Sequence, residues 1–262
     1  MEFVAVSAKR QNEEVGLPAG DGHTSELVPD YDADPGRFAA NQAATARFST
    51  VGDVHAPVAE RLRRAGQSPI LDVGGGNGVL ARVLDAPRSG LTVVVLDPAA
   101  HVAHAPRPAV RGDARCLPFA TGAFGAVAAL WMLYHLPDPL LAMREIARVL
   151  RPQGTFVACT SSRFNDPELA HVLPGWGREF VFDAETAVEL VADVFAVTEV
   201  QRWDAPMVHL PDRAAVALFL RGRGLPRDRA EQAADQYPDP PPGDQARGAD
   251  LGHHRVIGES VR

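Results

Sequence analysis

The sequence predicts an α/β fold with a doubly wound, mostly parallel sheet that follows an N-terminal helical region. Short apolar runs of strand length alternate with helical patterns between residues 69 and 203. The run Leu91 to Leu96 is continuously apolar, which is typical of a strand covered by helices on both faces. A chain of 262 residues that is 46% hydrophobic suits one such domain with extra length at its ends. Alternating strands and helices build a parallel sheet through right-handed crossovers.

Six strands are predicted from apolar runs that turn residues bound. They span residues 69–73, 91–96, 109–111, 126–132, 155–160 and 195–203. The clearest helix spans residues 138–151, where Asp138 can cap the N-terminus, Pro139 suits the first turn and Pro152 ends the helix. Other helical patterns cover residues 34–64, 77–84 and 183–193.

These patterns divide the chain into four segments. Residues 1–28 are polar and lack a clear period, which predicts a disordered N-terminus. Residues 29–66 are predicted to form a helical lid region, and residues 67–225 the doubly wound core. Residues 226–262 contain a proline-rich stretch with little apolar periodicity and are predicted to be irregular, and no convincing apolar strand follows Leu220.

The composition argues against several classes of protein. A net charge of -7 does not favour a nucleic-acid partner, which usually meets a basic face. Two distant cysteines make neither a disulfide framework nor a zinc site, so no metal is expected. Signal-peptide features and apolar runs of 18 residues are absent, which predicts a cytoplasmic protein with no membrane partner. For the oligomeric state, the sequence is compatible with a monomer and with a homodimer.

The segment Leu71 to Gly78 reads LDVGGGNG, a buried strand that enters a glycine turn and then a helix. Glycines adopt positive φ angles and let a ligand approach the backbone closely. The spacing is G-x-G-x-G, whereas the NAD fingerprint G-x-G-x-x-G would need glycine where Val79 stands. The loop therefore favours another nucleoside cofactor over NAD, and a glycine turn without a ligand is the simpler alternative.

Three further features follow the loop at the ends of the next strands. Asp97 ends the second strand, 19 residues after Gly78, where a carboxylate can accept hydrogen bonds from both ribose hydroxyls. Asp113 follows the third strand and can bind an adenine amino group. The fourth strand ends in LWMLYHLPD, at the edge where ligands of doubly wound sheets bind. A helix cap at Asp97 and a plain loop turn at Asp113 are the structural alternatives.

Together these segments resemble the small-molecule branch of the class I, Rossmann-like S-adenosylmethionine-dependent methyltransferases, over about residues 68–160. The resemblance implies a Rossmann-like methyltransferase fold and S-adenosyl-L-methionine as the cofactor. It implies a cofactor site lined by Asp72, Gly74, Gly76, Gly78, Asp97, Asp113 and Ala114, with Leu130 and Trp131 near the methionine end. Members of this family usually finish with an antiparallel strand, which the C-terminal sequence does not predict.

His135 is the leading candidate for a catalytic base, because it follows the fourth strand and histidine titrates near neutral pH. Tyr134 could orient the substrate; for both residues a purely structural role is the alternative. Two sets of side chains could determine specificity. A lid is predicted from Tyr31, Arg37 and Phe38, and a wall of an acceptor pocket from Phe164, Asn165, Trp176 and Phe180. His101, His104, His171 and His209 form no recognisable constellation.

The expected function is methyl transfer from S-adenosylmethionine to a small-molecule acceptor, by O-, N- or C-methylation, in specialised metabolism. One alternative is a catalytically silent partner protein that binds the cofactor. Another is a methyltransferase acting on a macromolecule; the sequence LWML does not fit the D/N-P-P-Y-like turn of enzymes that methylate adenine or glutamine amino groups. A nicotinamide-dependent oxidoreductase is disfavoured by the glycine spacing.

Overall fold

The computed structural model describes residues 2–10, 34–50, 54–85, 90–173, 175–204, 208–237 and 257–259. The strands are β1 (Glu2–Arg10), β2 (Ile70–Val73), β3 (Val93–Asp97), β4 (Ala109–Arg111), β5 (Phe124–Leu130), β6 (Leu150–Ser161), β7 (Phe195–Asp204) and β8 (Ile257–Glu259). The helices are α1 (Pro35–Phe48), α2 (His55–Ala65), α3 (Val79–Leu84), α4 (Pro139–Val149), α5 (Ala187–Ala192), α6 (Arg213–Gly222) and α7 (Arg227–Ala234). The predicted α/β fold is confirmed.

One sheet holds the eight strands, in the order β4-β3-β2-β5-β6-β1-β7-β8. Strands β2 to β6 pair in parallel, and every residue of β5 is buried. Helices α4 and α5 cover one face of the sheet, while α2 and α3 cover the other. The strand order reverses between β2 and β5, so the carboxyl ends of these two strands flank the crevice where such sheets bind ligands.

The prediction of a disordered N-terminus is wrong for β1. This strand lies antiparallel between β6 and β7, with Val4 opposite Thr160 and Val6 opposite Ala158. Val4, Val6 and Ala8 are buried on one face of the sheet, which explains why the segment is ordered. The strand therefore supplies the antiparallel position that the C-terminal sequence does not predict.

Helices α1, α6 and α7 form a separate apolar cluster away from the sheet, and we call these three helices the helical cap. Its core is centred on Ala44, Phe219 and Leu220, and α1 approaches α6 so closely that a Cβ on Gly222 would lie 2.8 Å from Asn41 Cα. The prediction of an irregular segment after residue 225 is wrong for α7, because its buried alanines pack into this cluster. It is also wrong for β8, which pairs antiparallel with β7 although no strand is predicted after Leu220. The predicted lid region also divides, since α2 packs on the sheet and only α1 joins the cap.

One ion pair lies within the cap, and another connects the cap to the loop after β6. Arg221 of α6 pairs with Asp34, which also caps the N-terminus of α1. Arg223 pairs with Asp166 at 2.9 Å and thereby ties the end of α6 to the loop after β6. Within the described ranges, none of the helices has the length and apolar character needed to cross a bilayer.

Candidate cofactor and acceptor site

The glycine loop joins β2 to α3 and forms the floor of the candidate cofactor site. Gly74, Gly76 and Gly78 have φ angles of 66°, 57° and 81°, in the left-handed region that side chains disfavour. A Cβ on Gly74 would lie 2.6 Å from Met132 Cβ, and one on Gly78 would lie 2.6 Å from Pro106 Cδ. These two positions therefore require glycine for both conformation and space.

Asp97 lies at the carboxyl end of β3, beside the glycine loop. Its Oδ2 accepts a hydrogen bond of 2.9 Å from the Gly76 amide, and its Oδ1 accepts one of 2.9 Å from the Ala99 amide. Each carboxylate oxygen keeps a second lone pair, so the group can accept further hydrogen bonds from ribose hydroxyls. The residue is only 7% exposed, and His101 Nε2 lies 3.6 Å from Oδ1.

Asp72 lies beneath the loop and is 2% exposed. A Cβ on Gly75 would lie 2.4 Å from Asp72 Oδ2, so the loop backbone rests directly on this carboxyl group. Within the described residues, Oδ2 has no hydrogen-bond partner. Burial raises the pKa of Asp72 to about 7; His55 opposes this rise, and the charge of Asp97 adds to it. A buried acceptor atom of this kind suits a ligand that brings a hydrogen-bond donor or a positive charge.

Asp113 and Ala114 follow β4 on the other side of Asp97. The Asp113 carboxylate accepts a hydrogen bond of 2.8 Å from the Arg115 amide and pairs with the Arg115 guanidinium at 2.7 Å. Hydrogen bonding to Arg115 keeps the pKa of Asp113 below its usual range, so the group is an ionised acceptor. Ala114 and Leu117 are buried and provide an apolar surface next to it.

The carboxyl end of β5 places three apolar side chains on the two faces of the sheet. Leu130 is buried, and Trp131, with a φ angle of 58°, packs against the cluster on the α2 face of the sheet. Met132 turns towards Gly74. The sequence predicts Leu130 and Trp131 near the methionine end of the cofactor. It does not predict that Met132 contacts the glycine loop, although its position two residues after β5 places it at the same edge of the sheet.

His135 and Tyr134 lie in a single 3₁₀ turn after β5, with ring centroids 4.4 Å apart. Burial, and then the positive charge of Arg37 on α1, lower the pKa of His135 to about 4. The imidazole is therefore neutral at physiological pH and has a lone pair that can accept a hydrogen bond. Tyr134 also faces Phe180, at 6.4 Å between ring centroids.

Helix α1 lies across the glycine loop. The Phe38 ring stacks on the His101 ring at 4.2 Å between centroids with an interplanar angle of 10°. Asn77 Nδ2 in the loop donates a hydrogen bond of 3.0 Å to Gln42 Oε1 on α1. Phe38 and Arg37 are thus brought to the site by α1. Tyr31, the third residue of the predicted lid, lies outside the described residues. The sequence does not predict that His101 lies at the site, because its stacking partner Phe38 is 63 positions away in the chain.

An exposed aromatic group follows β6, in the segment from which the sequence predicts a wall of an acceptor pocket. Phe164, Phe180 and Trp176 are 51%, 45% and 36% exposed. Phe164 and Trp176 meet edge to face at 5.6 Å, and Trp176 Nε1 donates a 2.8 Å hydrogen bond to the backbone carbonyl of Asn165, whose side chain is buried. Such exposed apolar side chains beside a crevice are typical of a binding surface.

These residues fit S-adenosylmethionine. Asp97 offers acceptors for a ribose, Asp113 offers one for an adenine amino group, and the glycine loop leaves room for a ligand against the backbone. Asp72 Oδ2 is a buried acceptor with no hydrogen-bond partner among the described residues, which suits the positively charged amino-acid tail of such a cofactor. Among the residues that the structure describes, no group of three or more histidine, cysteine, aspartate or glutamate side chains could hold a metal ion.

Comparisons with known proteins agree with this fit. A family described as "Methyltransferase domain" matches residues 71–158. The demethylmenaquinone methyltransferase of Mycolicibacterium vanbaalenii is 30% identical over 171 residues, which cover 63% of this chain and 71% of that protein. The enzyme of the same name from Mycolicibacterium paratuberculosis is 34% identical over 119 residues, and the match covers 45% of this chain but only about half, 49%, of that protein.

The YcgJ protein of Bacillus subtilis shares the fold, with a TM-score of 0.50 at 21% identity; the superposition covers 68% of this chain and 81% of that one. The glycine loop and Asp97 lie within the stretch that matches the family. The match to the M. vanbaalenii protein extends over more than two thirds of its length. The chain therefore belongs to the class I S-adenosylmethionine-dependent methyltransferase family.

Proposed function

We propose that the protein transfers the methyl group of S-adenosylmethionine to a small-molecule acceptor bound between the helical cap and the carboxyl edge of the sheet. The observation that carries this proposal is the adjacency of two sites. The glycine loop with Asp97 suits the cofactor, and the exposed aromatic group reaches towards Tyr134 through Phe180. Both curated relatives named above carry a small organic acceptor, demethylmenaquinone, in their names.

In this proposal Asp97 holds the ribose hydroxyls, while Asp113 and Ala114 hold the adenine. Leu130 and Trp131 shape the methionine end. The loop glycines Gly74, Gly76 and Gly78 let the cofactor lie against the backbone, and Asp72 balances its positive charge from below. When bound, the cofactor supplies a methyl group already activated on a sulfonium. The protein contributes mainly by orienting the acceptor in line with that methyl group and by excluding water. These effects lower the activation barrier by roughly 7–11 kcal/mol in favourable cases.

We assign to His135 the contact with the reacting group of the acceptor. Tyr134 lines the acceptor pocket beside it. The neutral imidazole accepts a hydrogen bond from an acceptor hydroxyl or amine. Full transfer of the proton would create a second positive charge beside Arg37, so this arrangement favours an acceptor whose leaving proton is acidic. Arg37 would then stabilise the negative charge that remains on the acceptor.

The test is transfer of labelled methyl from S-adenosylmethionine to a panel of acceptors. The panel comprises hydroxylated aromatics from quinone biosynthesis, phenolic and amine compounds of specialised metabolism, and bulk protein, DNA and RNA. We expect label in a hydroxylated aromatic, and a loss of about 10²-fold in its rate in His135→Ala. Label in a macromolecule instead would replace the proposal with a macromolecular methyltransferase. Cofactor binding without transfer to any member would favour a catalytically silent partner.

A further inference from the structure

The carboxylate assigned to the ribose is covered in this structure. Asp97 is nearly buried, and His101 Nε2 approaches its Oδ1 to 3.6 Å. The ring of Phe38, which belongs to α1, lies parallel to the imidazole of His101. A Cβ added to Gly76 would lie 3.5 Å from Phe38 Cζ and 3.6 Å from His101 Nε2, so both rings rest directly on the glycine loop. The two rings therefore occupy the space directly above Gly76 and beside Asp97.

We propose that Phe38 and His101 form an aromatic gate over the cofactor site, which opens when Phe38 moves away with α1 and closes again over the bound cofactor. The gate sets the rates at which S-adenosylmethionine enters and S-adenosylhomocysteine leaves. This inference rests on the assignment of the ribose to Asp97 made above.

The two halves of the gate are anchored in different parts of the molecule. His101 lies in a short 3₁₀ segment after β3, and its neighbour Val102 is buried against Val95 and Ala105 of the core. Phe38 belongs to α1, which packs into the helical cap through Ala44. The fixed half therefore stays with the sheet and the other half moves with the cap.

The contacts of α1 also favour movement at this interface. Towards α6, the helix has an apolar cluster, a close approach at Gly222 and the ion pair between Asp34 and Arg221. Towards the glycine loop it presents the ring stack and the hydrogen bond from Asn77 to Gln42. A movement that breaks the ring stack and this hydrogen bond leaves the α6 contacts intact, whereas breaking the α6 contacts would open the apolar core of the cap.

A gate and a simple cofactor contact predict different kinetics. A stacked aromatic pair shifts the equilibrium between the closed and the open arrangement about 2- to 12-fold towards the closed one. If the stack must open for passage, its removal raises the association and the dissociation rate constants together by about 2- to 12-fold. If Phe38 only contacts the bound cofactor, its removal raises the dissociation rate constant alone.

The experiment is stopped-flow binding of S-adenosylhomocysteine, followed by tryptophan fluorescence, since Trp131 directly follows β5 at the carboxyl edge of the sheet. Phe38→Ala removes the ring, and Phe38→Leu removes the stack while it keeps most of the apolar volume. His101→Ala removes the other half of the gate. His104→Ala is the matched control, because His104 is exposed in the same 3₁₀ segment. Circular dichroism checks that each variant is folded.

We expect both rate constants to rise in the Phe38 and His101 variants and to stay unchanged in His104→Ala. An unchanged association rate constant in folded Phe38→Leu and His101→Ala would overturn the gate. Asp97→Ala, measured in parallel, separates the two proposals. If it abolishes binding while the gate variants behave as wild type, only the gate fails. If wild-type protein does not bind S-adenosylhomocysteine, the cofactor site and the gate fail together.

Discussion

Replacing Asp72 by asparagine should change how the stability of the protein depends on pH. Burial raises the pKa of this carboxyl to about 7, against 3.8 for an unperturbed aspartate. The folded chain thus binds the proton more tightly than the unfolded chain. The contribution of Asp72 to the free energy of unfolding is therefore largest below pH 3.8, and it decreases as the pH rises towards 7. Asparagine does not titrate, so Asp72→Asn escapes this loss.

The size of the effect follows from the two pKa values. Above pH 7 the buried carboxylate costs about 4 kcal/mol relative to its protonated form. Between pH 5 and pH 8, roughly 2–3 kcal/mol of this cost develops. The stability difference between Asp72→Asn and wild type should grow by that amount over this range. Comparing two pH values cancels any pH-independent cost of burying the amide.

The assay is urea unfolding monitored by circular dichroism at both pH values. Asp113→Asn is the matched control, because pairing with Arg115 lowers the pKa of Asp113 and keeps it ionised throughout the range. Its stability difference from wild type should be the same at pH 5 and pH 8. An Asp72→Asn difference that is also independent of pH would refute the argument that burial raises the pKa of this carboxyl.

Three further predictions test the sheet, the cap and the acceptor side. Val6→Ala removes buried volume from β1 and should lower the free energy of unfolding by roughly 2 kcal/mol in urea; no change would show that β1 is not part of the core. Gly222→Ala should cost about 1–3 kcal/mol through its clash with α1, whereas a gain of about 1 kcal/mol, as helix propensity alone gives, would contradict the close packing. Arg37→Met should raise the pKa of His135 above its value of about 4 in an NMR titration; an unchanged pKa would exclude Arg37 as a cause.

The parallel half of the sheet could be predicted because its signals are local. The continuous apolar run before Asp97 and the glycine spacing after Asp72 are each contained within one strand and its following turn. Asp138 and Pro139 likewise predict the start of α4 from the chemistry of a single helix terminus, and the structure places both there. In each case the residues that set the conformation are neighbours in the chain.

The misses share a dependence on distant contacts. The apolar part of β1 is short and rich in alanine, and it becomes a strand only between β6 and β7, whose residues lie about 150 to 200 positions later. The stack of Phe38 on His101 likewise depends on how α1 docks. The contact of Met132 with Gly74 depends on how β5 lies beside β2. Periodicity within one segment carries no information about such pairings.

Calorimetric binding of S-adenosylmethionine and S-adenosylhomocysteine to the purified protein, with NAD as the control ligand, tests directly which cofactor the glycine loop and Asp97 bind. We predict micromolar binding of both sulfur compounds, no binding of NAD, and affinity at least tenfold weaker in Asp97→Ala, which corresponds to about 1.4 kcal/mol. Binding of NAD in their place, or wild-type affinity in a folded Asp97→Ala protein, would contradict the assignment of the glycine loop and Asp97 to this cofactor.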